Sequence, residues 1–116
     1  MTDKIIVLAT CPSEEEAGRI ARLLVEERLA ACVQILPPMR SIYRWRGALE
    51  ESEERLLLIK TRRGLFEDLC RRLRAAHSYE VPELLAVPVV DGAEDYLAWM
   101  DAELRPEEPL RDPSAV

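Results

Sequence analysis

The segment from Ala31 to Arg62, ACVQILPPMRSIYRWRGALEESEERLLLIKTR, constrains this chain more than any other. It reads as extended chain, broken at Pro37-Pro38 and again at Gly47. From Ala48 to Thr61 there are 14 residues without Gly or Pro, closing on the apolar run Leu56-Leu57-Leu58-Ile59. At about 3.3 Å per residue such a strand reaches about 46 Å. A compact domain of this length has a radius of gyration of only about 13 Å. The strand, paired back on Arg40–Arg46, therefore projects past its own domain as a two-stranded ribbon. Such a ribbon is marginal alone in water and calls for another chain to lie on. With the turn at Gly47-Ala48, Arg46 faces Leu49, Arg44 faces Glu51 and Ile42 faces Glu53, placing one opposite-charge pair across the ribbon. Tyr43 and Trp45 share one face because side chains alternate along a strand.

The rest of the chain alternates strands and helices. Lys4–Thr10 (KIIVLAT) is an apolar, β-branched-rich run suited to a central strand. Pro12 ends it. Ser13 and Glu16 have capping-box spacing, with Glu14, Glu15 and Glu16 in a first helical turn where the dipole favours carboxylates. Ala17, Ile20, Ala21, Leu24, Val25 and Leu29 then recur at helical spacing. A second strand spans Cys32–Leu36, and Pro37-Pro38 bends it into the ribbon. A second amphipathic helix opens near Gly64, carries Phe66, Leu69, Cys70 and Leu73, and runs to about Ala76. After the irregular segment His77–Glu83 (HSYEVPE), Leu84–Val90 forms a last strand whose Pro88 marks an edge or a bulge. Asp91 and Glu94 have capping-box spacing for a third helix, Ala93–Leu104. The order predicts an α+β, ferredoxin-like βαββαβ sandwich with an added C-terminal helix. Residues 1–104 form a single domain and 105–116, with three prolines, a loose tail. One sheet face lacks a helix to cover it, a second reason to expect subunits.

Composition removes several function classes. A net charge of −6 lacks the basic footprint of a nucleic-acid binder. Three cysteines, Cys11, Cys32 and Cys70, are odd in number and widely spaced, against both a disulfide framework and a thiolate zinc site. A reduced, cytoplasmic setting follows. Neither a secretory leader nor an apolar run of membrane-spanning length is present, so no membrane partner is expected. There is no nucleotide cradle, dinucleotide fingerprint or serine elbow, hence no organic cofactor and no enzyme of those classes. An RNA-recognition sheet needs aromatic platforms that KIIVLAT and LLIKT lack.

Two places could carry chemistry. Cys11 ends the first strand just before a helix N-terminus, which lowers a thiol pKa, although a small apolar strand-end residue is the plainer reading. His77, Tyr79, Glu80 and Glu83 crowd one loop, and imidazole with carboxylate suits a borderline divalent ion. The alternative is structural, with His77 ending a helix and the carboxylates satisfying backbone donors.

Several separated motifs in the correct order resemble the CutA (CutA1) divalent-cation tolerance family. They are VLATCPS, ERLAACVQI, SIYRWRG followed by a glutamate-rich turn and LLLIKT, HSYEVPE leading into LLAVPV, and GAEDYLAWM. The resemblance covers roughly Ile5 to Leu104. It implies a cytoplasmic, non-enzymatic homotrimer, PII-like in architecture, with long ribbons wrapping neighbouring subunits and a link to copper and other divalent cations. It also implies metal ligands at His77 and Glu83. Ser78 stands where the family usually has proline. The family's proposed thiol falls at Ala9, so Cys11 is an offset third candidate, displaced along the strand by about 6–7 Å. Tyr43, Trp45, Lys60, Arg62 and Tyr79 are candidate cleft or interface residues. The competing function is a PII-like regulator binding a small anion or metabolite in intersubunit clefts through Lys60, Arg62 and Tyr79.

Overall fold

A computed structural model describes residues 1–106. Its elements run β1 (Lys4–Cys11), α1 (Glu14–Glu26), β2 (Cys32–Ile35), β3 (Met39–Trp45), β4 (Ala48–Arg62), a 3-10 turn (Arg63–Leu65), α2 (Phe66–Ala76), β5 (Leu85–Pro88) and α3 (Glu94–Glu103). The sheet order is β2-β4-β1-β5, antiparallel throughout, with β3 added to the free length of β4. This is the ferredoxin-like arrangement read from the element order, ribbon and third helix included. The tail expected from residue 105 lies outside the described residues except for Arg105 and Pro106. Arg105 is docked, its backbone N–H donating to Arg28 and its guanidinium to the Glu27 carbonyl.

Alternation decides the two sheet faces. Val7, Ala9, Leu57 and Ile59 point to one side, where they are fully buried against Ile20 and Leu24 of α1 and Leu69 and Leu73 of α2. Each of the Val, Leu and Ile side chains contributes about 1.5–3 kcal/mol by leaving water. The opposite face carries Ile6, Leu8, Leu56 and Leu58, only partly covered, and on β5 the exposed Leu85 and Val87. β5 is an edge strand of four residues, shorter than the expected Leu84–Val90, and Pro88 sits at its end.

Helix ends show where local signals suffice. Ser13 caps α1 by accepting from the Glu16 backbone N–H at 3.2 Å. At its C-terminus Arg28 takes a left-handed conformation (φ 59°), and Leu29 N–H reaches back to Leu24. Arg28 N–H bonds Val25, completing a Schellman closure without glycine. The Arg28 guanidinium then bonds the carbonyls of Ala102 and Glu103, setting a positive charge on the C-terminus of α3. The second expected capping box is not formed. The N-cap of α3 is Ala93, and the Asp91 carboxylate accepts from Gly92 N–H instead.

The ribbon is as long as expected, β4 having 15 residues, and the radius of gyration is 15.7 Å. Its register differs by two. Arg46 (φ 49°) and Gly47 (φ 81°) form a two-residue turn with both φ values positive, which matches the twist of a tight hairpin. Trp45 therefore pairs with Ala48, Arg44 with Leu49, Ile42 with Glu51 and Arg40 with Glu53. The ion pair across the ribbon is diagonal, Arg40 to Glu51 at 2.6 Å, rather than Arg44 to Glu51. No helix among the described residues is long and apolar enough to cross a membrane.

Candidate metal site and the cleft beside it

β1 ends at Cys11, α1 begins three residues later, and α2 stops at Ala76 against the same corner. Three donors meet there. The Cys11 thiol, a Glu16 carboxylate oxygen and a His77 ring nitrogen lie within 4.8 Å of one another. Among the described residues this is the one group of three or more such donors close enough to hold an ion together. Thiol, carboxylate and imidazole form a mixed set that suits zinc or copper. Cys11, set apart in the sequence reading by its two-residue offset, is brought to His77 because β1 carries it on the helix-facing side. Glu83 lies outside the group, and Glu16 stands third.

Two of the three donors already have partners. The His77 imidazole is fully buried. Its Nδ1 accepts from Tyr79 N–H at 2.9 Å, so Nε2 carries the proton and donates to the Thr10 carbonyl at 2.7 Å. The Glu16 carboxylate does not close the capping box. One oxygen accepts from the Ser78 hydroxyl at 3.1 Å and its backbone N–H at 3.4 Å, and the other faces Arg19 at 3.8 Å. Burial pushes the Cys11 thiol up to about 12, with the Glu16 and Glu54 charges adding to it, so the helix N-terminus does not activate it. The donor set fits a divalent ion, but an ion there must replace the thiol proton and one backbone partner of His77. His77 thus ties the segment that follows α2 to this corner.

That segment also forms one wall of a cleft. The ribbon supplies the other wall, and its tip is tied across by Arg46 to Glu80 at 3.1 Å, an exposed pair worth at most about 1 kcal/mol. The space between has a volume of about 700 Å³ and is lined by Tyr43 and Trp45 from β3, Glu54 from β4, and Tyr79, Val81 and Glu83 from the loop. Tyr43 and Trp45 share a face as expected, and that face looks into the cleft. The Tyr79 hydroxyl donates to the Glu54 carboxylate at 3.2 Å. Burial and the Glu54 charge push the Tyr79 phenol up to about 12, so it remains a donor. Partial burial, then the Glu54 charge, raises Glu83 above the usual carboxylate range.

Lys60 and Arg62 take no part in this cleft. Lys60 donates to the Tyr96 hydroxyl at 3.2 Å and lies over its ring, and Arg62 faces Asp101 at 3.7 Å and bonds the Arg105 carbonyl. Both belong to the docking of α3. Sequence reasoning missed Glu16 and Glu54. Glu16 was readable as a helix-cap residue five positions after Cys11. Glu54 is the covered member of an otherwise exposed glutamate run, 6% exposed at the ribbon base.

Residues 5–103 match the family model described as CutA1 divalent ion tolerance protein. The chain belongs to this family. It is 53% identical over 95 residues to the divalent-cation tolerance protein CutA of Thermus thermophilus, a match covering 82% of this chain and 92% of that one. Identity to the Pectobacterium atrosepticum CutA is 44% over 105 residues, 90% of this chain and 96% of the other. Among solved structures, the CutA1 protein from Thermus thermophilus superposes with a TM-score of 0.86 at 49% identity, covering 88% of this chain and 99% of that one. CutA from Xylella fastidiosa gives 0.87 at 43% identity, covering 90% of this chain and all of that one. The CutA1 fold and family membership read from the separated motifs are thus established.

Proposed function

We propose that this protein acts in divalent-cation tolerance as a cytoplasmic homotrimer that binds metal and catalyses no reaction, copper being among its ions. The observation that carries the metal reading is the convergence of Cys11, Glu16 and His77 within 4.8 Å. Relatives named for divalent-cation tolerance support it. The trimer reading is supported by the apolar outer face of the sheet, with Leu85 59% and Val87 45% exposed. A ribbon carrying Ile42, Leu49 and Trp45 in the open adds to it. Surfaces of this kind are covered in obligate assemblies.

The competing reading is a PII-like regulator binding a small anion or metabolite in intersubunit clefts through Lys60, Arg62 and Tyr79, the first two of which also contact α3 through Tyr96 and Asp101. Thermal-shift screening decides between them. Stabilisation by copper or zinc salts and not by small anions is expected, and the reverse pattern would sink the metal reading. Light scattering should give about three times the chain mass of 13.3 kDa at micromolar concentration. A mass near that of one chain ends the trimer. Trp45→Ala should loosen the assembly more than Trp99→Ala, because Trp45 lies on the ribbon whereas Trp99 stacks on Tyr96 within α3.

A further inference from the structure

The corner formed by Cys11, Glu16 and His77 lies inside a single chain, so assembly with other subunits can only deepen its burial. Cys11 and the His77 side chain are fully buried, and Glu16 is 8% exposed. An ion held out of water is stable only where the charge of its donors matches its own. Cys11 as thiolate supplies one negative charge and an imidazole lone pair supplies none, which balances a monovalent ion. The second negative charge that a divalent ion needs must come from Glu16.

Two partners compete for that carboxylate. Arg19, anchored by donating to the Ala76 carbonyl at 3.1 Å, faces Glu16 Oε1 at 3.8 Å. Ser78 directs its hydroxyl, at 3.1 Å, and its backbone N–H, at 3.4 Å, to Oε2. Oε2 is the oxygen that stands 3.6 Å from His77 Nδ1. Nδ1 bears the lone pair of the ring, and the Nε2–H bond to the Thr10 carbonyl at 2.7 Å is of the kind that orients a metal-bound histidine. Ser78 thus fixes Oε2 beside the imidazole, while the guanidinium is left with a long contact to the other oxygen.

Resting on the metal reading above, we propose that Ser78 is a positioning residue that sets the charge of the ion this corner takes. It commits the Glu16 carboxylate to the corner, which makes the site one for a divalent rather than a monovalent ion. Without the Ser78 hydroxyl, Glu16 turns to Arg19, and the remaining thiolate, soft and singly charged, suits copper(I).

The test measures two ions on the full-length protein, with the assembly checked by light scattering. Zinc(II) affinity is read by calorimetry, and copper(I) affinity by competition with a cuprous chelator under nitrogen. Ser78→Ala should weaken zinc(II) by about 10–100-fold, the range for groups that orient metal ligands, and move copper(I) by less than about threefold. Ser78→Thr keeps the hydroxyl and should stay close to the wild type with both ions. A merely structural serine would weaken both ions alike. Equal losses, unchanged zinc affinity in Ser78→Ala, or no rescue by Ser78→Thr would each overturn the assignment. Cys11→Ala separates that failure from failure of the metal reading. If it leaves zinc affinity unchanged, both fall. If it costs at least tenfold while Ser78→Ala costs nothing, only the role of Ser78 falls.

Discussion

The seven residues from His77 to Glu83 serve two neighbouring regions whose physics is opposite. At the corner of β1, α1 and α2, His77 is fully buried and both ring nitrogens are paired. In the adjacent cleft, Glu54 and Glu83 are carboxylates without a cationic partner among the described residues, Trp45 is 42% exposed, and an exposed ion pair bridges the opening. The difference teaches that residue type alone does not mark a binding site. The corner has the metal-like donors but must surrender internal bonds to take an ion, and the cleft has few metal-like donors but unmet charge. Tyr79 couples the two, its backbone held by His77 and its side chain by Glu54.

The most damaging change should be His77→Ala. It strands the Thr10 carbonyl and the Tyr79 N–H, each buried polar group costing about 1–3 kcal/mol when unpaired. A loss of about 2–4 kcal/mol in denaturant unfolding is expected. A loss below about 0.5 kcal/mol would mean that the corner is not locked. Next comes alkaline pH. Cys11 rises from 9.0, and Tyr79 from 10.0, to about 12 in the fold. As pH climbs past 9, the unfolded chain releases protons that the folded one keeps, so this contribution is whole below pH 9 and is lost towards pH 12. Stability should decline over that window, and Cys11→Ala with Tyr79→Phe should flatten the decline. An identical slope in the double variant would refute the assignment. The smallest effect belongs to the cleft. Glu83 is raised from 4.5 by partial burial and by Glu54, so its charged form is disfavoured and its stabilising contribution is lost as pH rises through that range. Glu83→Gln at pH 7 should leave stability unchanged or raise it by up to about 0.5 kcal/mol, and a clear loss would show that Glu83 is paired after all.

Element order was legible because it is written in local periodicity and breakers. Pro12, Pro37-Pro38 and Gly47 cut the chain where the structure turns, and the spacing of Ile20, Ala21 and Leu24 gives a helix face directly. The ribbon register was not legible, since it depends on Arg46 taking a positive φ that arginine seldom adopts. At the corner, Ser13 to Glu16 reads locally as a mutual cap. Only the packing of α2 beside α1 turns that carboxylate to Ser78 and His77. Likewise, alternation along Glu50–Glu54 says which glutamates share a face, but burial of Glu54 is a consequence of the loop lying on it.

One titration bears most directly on the division between the two regions. Copper is titrated calorimetrically into the wild type, Cys11→Ala and Glu83→Gln, with the assembly checked by light scattering in each case. Cys11→Ala leaves both backbone bonds of His77 in place, so a change in affinity there is not a folding effect. At least a tenfold loss in Cys11→Ala with affinity unchanged in Glu83→Gln is predicted. Unchanged affinity in Cys11→Ala with a loss in Glu83→Gln would contradict the account and move the metal into the cleft.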